Sequence, residues 1–210
     1  MHLFNVLCIG LILATSGLEA LAESSAEKGQ RIFAGYDRSR LGFGSYSVEQ
    51  QLSTTYRGKL SEKRFRLYGF EKKEGNKSLI IFDKPKDNKG TALLNWHHDH
   101  SDDEQWLYLP NFKRIKKISS SAKRTPFVAS AFSYEDVAIL SRQSSAGFTY
   151  QYLRDELLDD TSTHVVEGKP TDKKTAYIRV IFWLDSSNYR ILKLVFYYKE
   201  KRLAKTLVPT

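Results

Sequence analysis

Tyr46, Val48, Gln50, Leu52, Thr54 and Tyr56 alternate with Ser47, Glu49, Gln51, Ser53 and Thr55, which is the two-residue period of a strand that buries one face. Phe65 and Leu67 repeat the alternation against Arg64 and Arg66, and Arg57-Gly58-Lys59 supplies a tight link between the two runs. Further strands are predicted over residues 78–82, 91–96, 105–109, 113–118, 148–153, 163–167, 176–184 and 190–198. Their separators are rich in strand-breaking residues, among them Gly75-Asn76, the stretch 85–90, Pro110-Asn111, Gly168-Lys169-Pro170 and the stretch 185–188. About ten short strands in succession predict one large antiparallel sheet curved into a partial barrel.

Two segments break this rhythm. Residues 25–34 predict a short helix with Ile32 and Phe33 on one side. Ser133-Tyr134-Glu135-Asp136 is a capping pattern ahead of an apolar run from Val137 to Leu140, predicting a second short helix at mid-chain. In two late strands both alternating sets are apolar: Ile178, Val180 and Phe182 with Ile181 and Trp183, then Leu192, Leu194 and Phe196 with Val195 and Tyr197. Such strands are either covered on both faces or line a cavity that holds something apolar. The pattern leaves both open, with ordinary core the default.

A chain of 210 residues suits one domain with a substantial core. Residues 1–22 carry an apolar stretch from Leu3 to Ala14 and then Ala20-Leu21-Ala22, the small-x-small pattern of a signal peptide cleaved after Ala22. About 12 apolar residues fall short of the roughly 20 that span a bilayer as a helix. Cys8, the single cysteine, lies inside that segment, so the mature domain, residues 23–210, would hold no disulfide, as is ordinary in a bacterial periplasm. Loss of residues 1–22 removes Glu19 and no basic residue, so the net charge rises from +9 to +10 (33 basic against 23 acidic). A basic surface could meet anionic headgroups or an acidic protein; export argues against nucleic acid.

His97, His98 and His100, followed by Asp102, Asp103 and Glu104, offer the ligand types of a divalent metal site. Successive strand residues point to opposite sides, however, and a solvated hairpin turn explains the cluster with fewer assumptions. No G-x-S-x-G elbow and no phosphate-cradling glycine pattern is present, and no serine is placed by sequence beside a histidine and an acid. The expectation is a protein that does no covalent chemistry and needs neither cofactor nor metal. Lys113, Arg114, Lys116 and Lys117 surround Ile115 as either a docking face or one solvated strand.

Several segments carry a joint signature: Gly35-Tyr36-Asp37, the run 46–52, the run 86–96 ending in Leu93-Leu94-Asn95-Trp96, Gln105-Trp106-Leu107-Tyr108-Leu109-Pro110, the run 114–119, and Phe132-Ser133-Tyr134-Glu135-Asp136. Together they resemble the periplasmic outer-membrane lipoprotein-sorting family related to the LolA and LolB carriers, in its LolA-like branch. The resemblance implies a curved, unclosed antiparallel β-barrel whose concave side is covered by helices and shields acyl chains from water, with residues 133–140 as a lid element. The lining residues expected on this basis are Val48, Leu52, Phe65, Leu67, Ile81, Leu94, Ile178, Val180, Phe182, Leu192, Leu194 and Phe196, the parity of each strand being open. The implied partners are a lipid or lipoprotein acyl chain, an envelope transport protein and, transiently, a membrane surface. An adaptor that binds a transport complex through its basic face is the alternative. Two departures stand out. Ala129-Ser130-Ala131 replaces the family's Gly-Ser, and the chain stops soon after a last predicted strand over 203–208, which leaves a C-terminally shortened domain as one expectation.

Overall fold

Strand pairing in the computed structural model, which describes residues 22–56, 58–98, 101, 103–128, 130, 132–141, 146–198 and 202–209, follows the alternation in the sequence. Residues 1–21 of the expected signal segment, and His100 and Asp102 of the histidine cluster, lie outside the described residues. β1 (Ser45–Tyr56), β2 (Lys59–Phe70), β3 (Lys77–Lys84), β4 (Ala92–Trp96), β5 (Glu104–Leu109) and β6 (Arg114–Lys117) form one antiparallel meander in chain order. After helix α2 (Tyr134–Ser141), the strands β7 (Phe148–Leu158), β8 (Thr161–Pro170), β9 (Tyr177–Asp185), β10 (Ile191–Tyr198) and β11 (Leu203–Leu207) form a second. Among the described residues no strand of one sheet pairs with a strand of the other. The strands expected in one large sheet are thus divided between two, and together they make the mainly-β, unclosed antiparallel half-barrel, with short helices against its concave side, that the resemblance implies.

Helix α1 (Ser25–Ser39) starts at a capping box. The Ser24 hydroxyl accepts from the Glu27 N–H, and the Glu27 carboxylate accepts from the Ser24 N–H. The helix outruns its predicted end at residue 34 because Tyr36 extends the buried face of Gly29, Ile32 and Phe33 by another turn. β7 and β8 likewise outrun their expected bounds. Asp159 and Asp160, both at positive φ (46° and 63°), form a two-residue turn, and this geometry matches the twist of the hairpin and lets pairing continue to Leu158↔Thr161.

Pairing sets which side each residue faces. The row Val48↔Leu67↔Ile80↔Leu93↔Leu107 is concave, as is Phe65↔Phe82, and these residues, apart from the exposed Val48, pack with Phe127, Phe132, Tyr134 and Val137 of the inter-sheet segment. Ile81 pairs with Arg66 and Ala92, and Leu94 with Leu79 and Trp106, so both face the convex side. In the second sheet Val180, Phe182, Leu184, Leu194 and Phe196 face inward against α1. Ile181, Trp183 and Val195 form an outer cluster with Val165. That outer side is roofed by long polar side chains: Lys193 Nζ lies 4.7 Å from the Trp183 ring centroid, Arg179 lies 4.3 Å from that of Tyr197, and Trp183 Nε1 donates to Glu156. Cover on both faces thus accounts for the doubly apolar strands.

Candidate functional site

Where the two concave faces meet the helices, they enclose a cavity of about 1010 Å³. One wall is Val48 and Leu52 of β1, Phe65 and Leu67 of β2, and Ile80 and Phe82 of β3. The opposite wall is Phe148, Tyr150, Phe182, Leu192 and Leu194 of the second sheet with Phe33 and Tyr36 of α1, and Ile139 and Leu140 of α2 form part of the remaining lining. β1 and β11 are both sheet edges, and residues 49–53 of β1 and 207–209 at the end of β11 border the same space, so it lies at the seam the barrel leaves unclosed. Phe33 stacks on Tyr150 at 3.6 Å between centroids and meets Phe182 edge-on at 5.0 Å, making the α1 wall rigid.

Of the residues expected to line it, Val48, Leu52, Phe65, Leu67, Phe182, Leu192 and Leu194 border the cavity. Val180 and Phe196 face the same side but are fully buried in the core behind it. Ile178 lies at a bulge where pairing passes from Tyr197↔Arg179 to Tyr198↔Tyr177. Ile81 and Leu94, on the convex face, do not border it; their neighbours Ile80 and Leu93 point inward instead. The pattern gave no signal for Phe127 or Tyr36, which reach the site only through packing, whereas Phe33 lies on the predicted apolar side of the first helix and Ile139 and Leu140 lie in the element the resemblance implies as a lid. It also missed Arg40 and Arg190, the cations on the cavity border.

Three polar tethers seat α2. At its start the Ser133 hydroxyl and the Asp136 carboxylate cap reciprocally, the Ser133 N–H donating to Asp136 at 2.6 Å. Asp136, fully buried, also accepts from the Tyr177 hydroxyl at 2.7 Å and pairs with Lys205 of β11. Burial, and then the adjoining Asp136 carboxylate, push the Tyr177 phenol far above its ordinary range. On the first sheet Asn95 donates to Ser78 at 3.0 Å, and the Gln105 amide donates to Asn95 at 2.7 Å and to the Tyr134 carbonyl at 2.9 Å. At the far end of the helix the Ser141 hydroxyl lies 3.2 Å from His97 Nε2, while His97 Nδ1 lies 3.0 Å from Asp103. His97 is therefore buried and tied to α2 rather than part of a solvated turn. His98 turns away to Glu104 at 3.3 Å and packs on Trp96. Among the described residues no three metal-ligating side chains converge.

The other surface singled out by the sequence is β6, whose four residues are all exposed. Ile115 and, just ahead of the strand, Phe112 are 72% and 70% exposed beside Lys113, Arg114 and Lys116, whereas Lys117 pairs with Glu104.

An unclosed β half-barrel with a helix-walled apolar concavity defines the LolA-type class of folds. A LolA superfamily protein from Nitrosomonas europaea shares it at 22% identity and a TM-score of 0.56, over 83% of this chain and 74% of that one. A domain named for outer membrane lipoprotein sorting, from Vibrio parahaemolyticus, is 38% identical with a TM-score of 0.79, over 87% of this chain and 77% of its own. A DUF1329 family protein from Desulfovibrio piger is 29% identical with a TM-score of 0.78, over 88% and 78% of the two chains. A family model described only as that of an uncharacterized protein matches residues 74–209. No curated protein matches. The chain belongs to the outer-membrane lipoprotein-sorting family, and its fold is LolA-like.

Proposed function

We propose that this protein is a non-catalytic carrier of the bacterial periplasm, exported by residues 1–22, that takes the acyl chain of a lipid or lipoprotein into the cavity and releases it to an acceptor. The observation that carries this reading is the apolar cavity at the open seam, with walls from both sheets and α1. Each acyl CH₂ moved from water into such a space contributes roughly 0.8 kcal/mol, so affinity comes from partition and needs no covalent step. Among the described residues no helix is long and apolar enough to cross a membrane, which fits a carrier that visits membranes transiently.

The test is native purification from an envelope fraction, solvent extraction and mass spectrometry of the co-purified lipid, with Leu52→Glu as the control. Leu52 is half-buried on edge strand β1, so a charge there meets cargo without breaking the core, as it would at Phe182. A stoichiometric lipid lost from the folded variant is expected. Folded protein without lipid in either sample would overturn the carrier reading and favour the second one, an envelope adaptor. The apolar-and-basic edge at Phe112, Ile115, Lys113, Arg114 and Lys116 supports that second reading.

A further inference from the structure

The charged side chains on the cavity border, among the described residues, are Arg40, Glu49 and Arg190, two cations to one anion. Arg40 follows the last turn of α1, and its Nε is buried without a hydrogen-bond partner. Arg66 and Arg179 elsewhere each hold a carboxylate; no carboxylate among the described residues lies within ion-pairing distance of Arg40 or Arg190, and Asp185 acts on Arg190 only through space. The nearest aromatic support is the Tyr36 ring, 5.3 Å from the Arg40 guanidinium. Burial pushes the Tyr36 phenol up, so it stays neutral and does not offset the cation. The turn between β9 and β10 brings Arg190 to the same end. Gly35 of α1 leaves room for the Tyr189 ring, where a Cβ would fall 2.6 Å from it, and Arg190 is the next residue.

We infer that the cavity selects an anionic amphiphile: an acyl chain lies among the apolar walls, and a carboxylate or phosphate at its head is held by Arg40 and Arg190. A buried guanidinium nitrogen without an acceptor is costly, and a ligand oxyanion supplies both the acceptor and the countercharge. The inference rests on the carrier reading and narrows its cargo class.

The experiment titrates the purified full chain with cis-parinaric acid and with its methyl ester, which share the chain and differ in the head charge. The acid is expected to bind about 10-fold or more tightly than the ester. In Arg40→Gln/Arg190→Gln that preference should collapse with ester binding kept, and Arg40→Lys should retain most of it. Displacement by phosphatidylglycerol but not by phosphatidylcholine would assign a headgroup phosphate, and displacement by neither a free carboxylate. Equal affinity for acid and ester in the wild type, or a preference intact in the folded double Gln variant, would overturn the inference and leave the carrier reading standing. If neither probe binds, both fall.

Discussion

Gly29 sits where α1 crosses β7, and a Cβ there would fall 2.8 Å from the Tyr152 backbone nitrogen and 2.9 Å from that of Gln151. In a free helix Gly→Ala gains about 1 kcal/mol. Here the obstructing atoms are backbone of a paired strand and cannot rotate away, so the overpacking cost of about 1–3 kcal/mol should win. Gly29→Ala is expected to lower the urea midpoint, although helix propensity alone would raise it. Asp185 gives a second residue-scale expectation. The Ser187 hydroxyl at 2.6 Å, the Ser187 N–H at 2.8 Å and the Asn188 amide at 3.1 Å all donate to its carboxylate and hold its pKa below the ordinary 3.8. A depressed folded pKa gives stability that is present above the unfolded value and lost as pH falls through the folded one. Asp185→Asn should therefore cost stability at pH 7 and progressively less below about pH 4; thermal melts across that range check the slope, and a constant difference would refute it.

At the scale of elements, α2 and β11 are held by one buried charge. Lys205 is mostly buried against an Asp136 that is wholly so, and removing one partner of such a pair costs about 3–5 kcal/mol because the other charge is stranded. Lys205→Met should be strongly destabilising, and adding Asp136→Asn should restore part of the loss; a double-mutant cycle by chemical denaturation reads the coupling. The Ser141–His97–Asp103 chain has the composition of a hydrolytic relay. It joins the last residue of α2 to the β4–β5 hairpin. Ser141→Ala should cost about 1–3 kcal/mol by leaving a buried ring nitrogen unpaired, read as a lowered urea midpoint. The capping pattern at Ser133 announced the start of α2, but its partners Tyr177, Lys205 and His97 could not be read there. They lie 41, 69 and 44 residues from the side chains they hold.

For the whole molecule, cargo and stability are linked. If the cavity is a binding site, a ligand at about 100 times its Kd adds about 2.7 kcal/mol, so adding cis-parinaric acid should raise the melting temperature of lipid-stripped protein and leave that of Leu52→Glu little changed. A calorimetric scan reads both. The alternation over 46–56, the doubly apolar strands, the capping pattern at Ser133 and the apolar pair Ile32-Phe33 in residues 25–34 were enough to define a mainly-β chain with two helices, because strand period and cap chemistry are local properties of neighbouring residues. Which alternate set faces inward was not local. Ile80 rather than Ile81, and Leu93 rather than Leu94, point into the barrel because the pairing Leu67↔Ile80↔Leu93 carries the parity of β2 across the sheet. The cavity belongs to tertiary structure alone: it exists where β1, α1 and the far end of the second sheet converge, and Arg40 and Arg190, 150 positions apart by their numbers, share its border only because the chain brings both meanders round to the same seam.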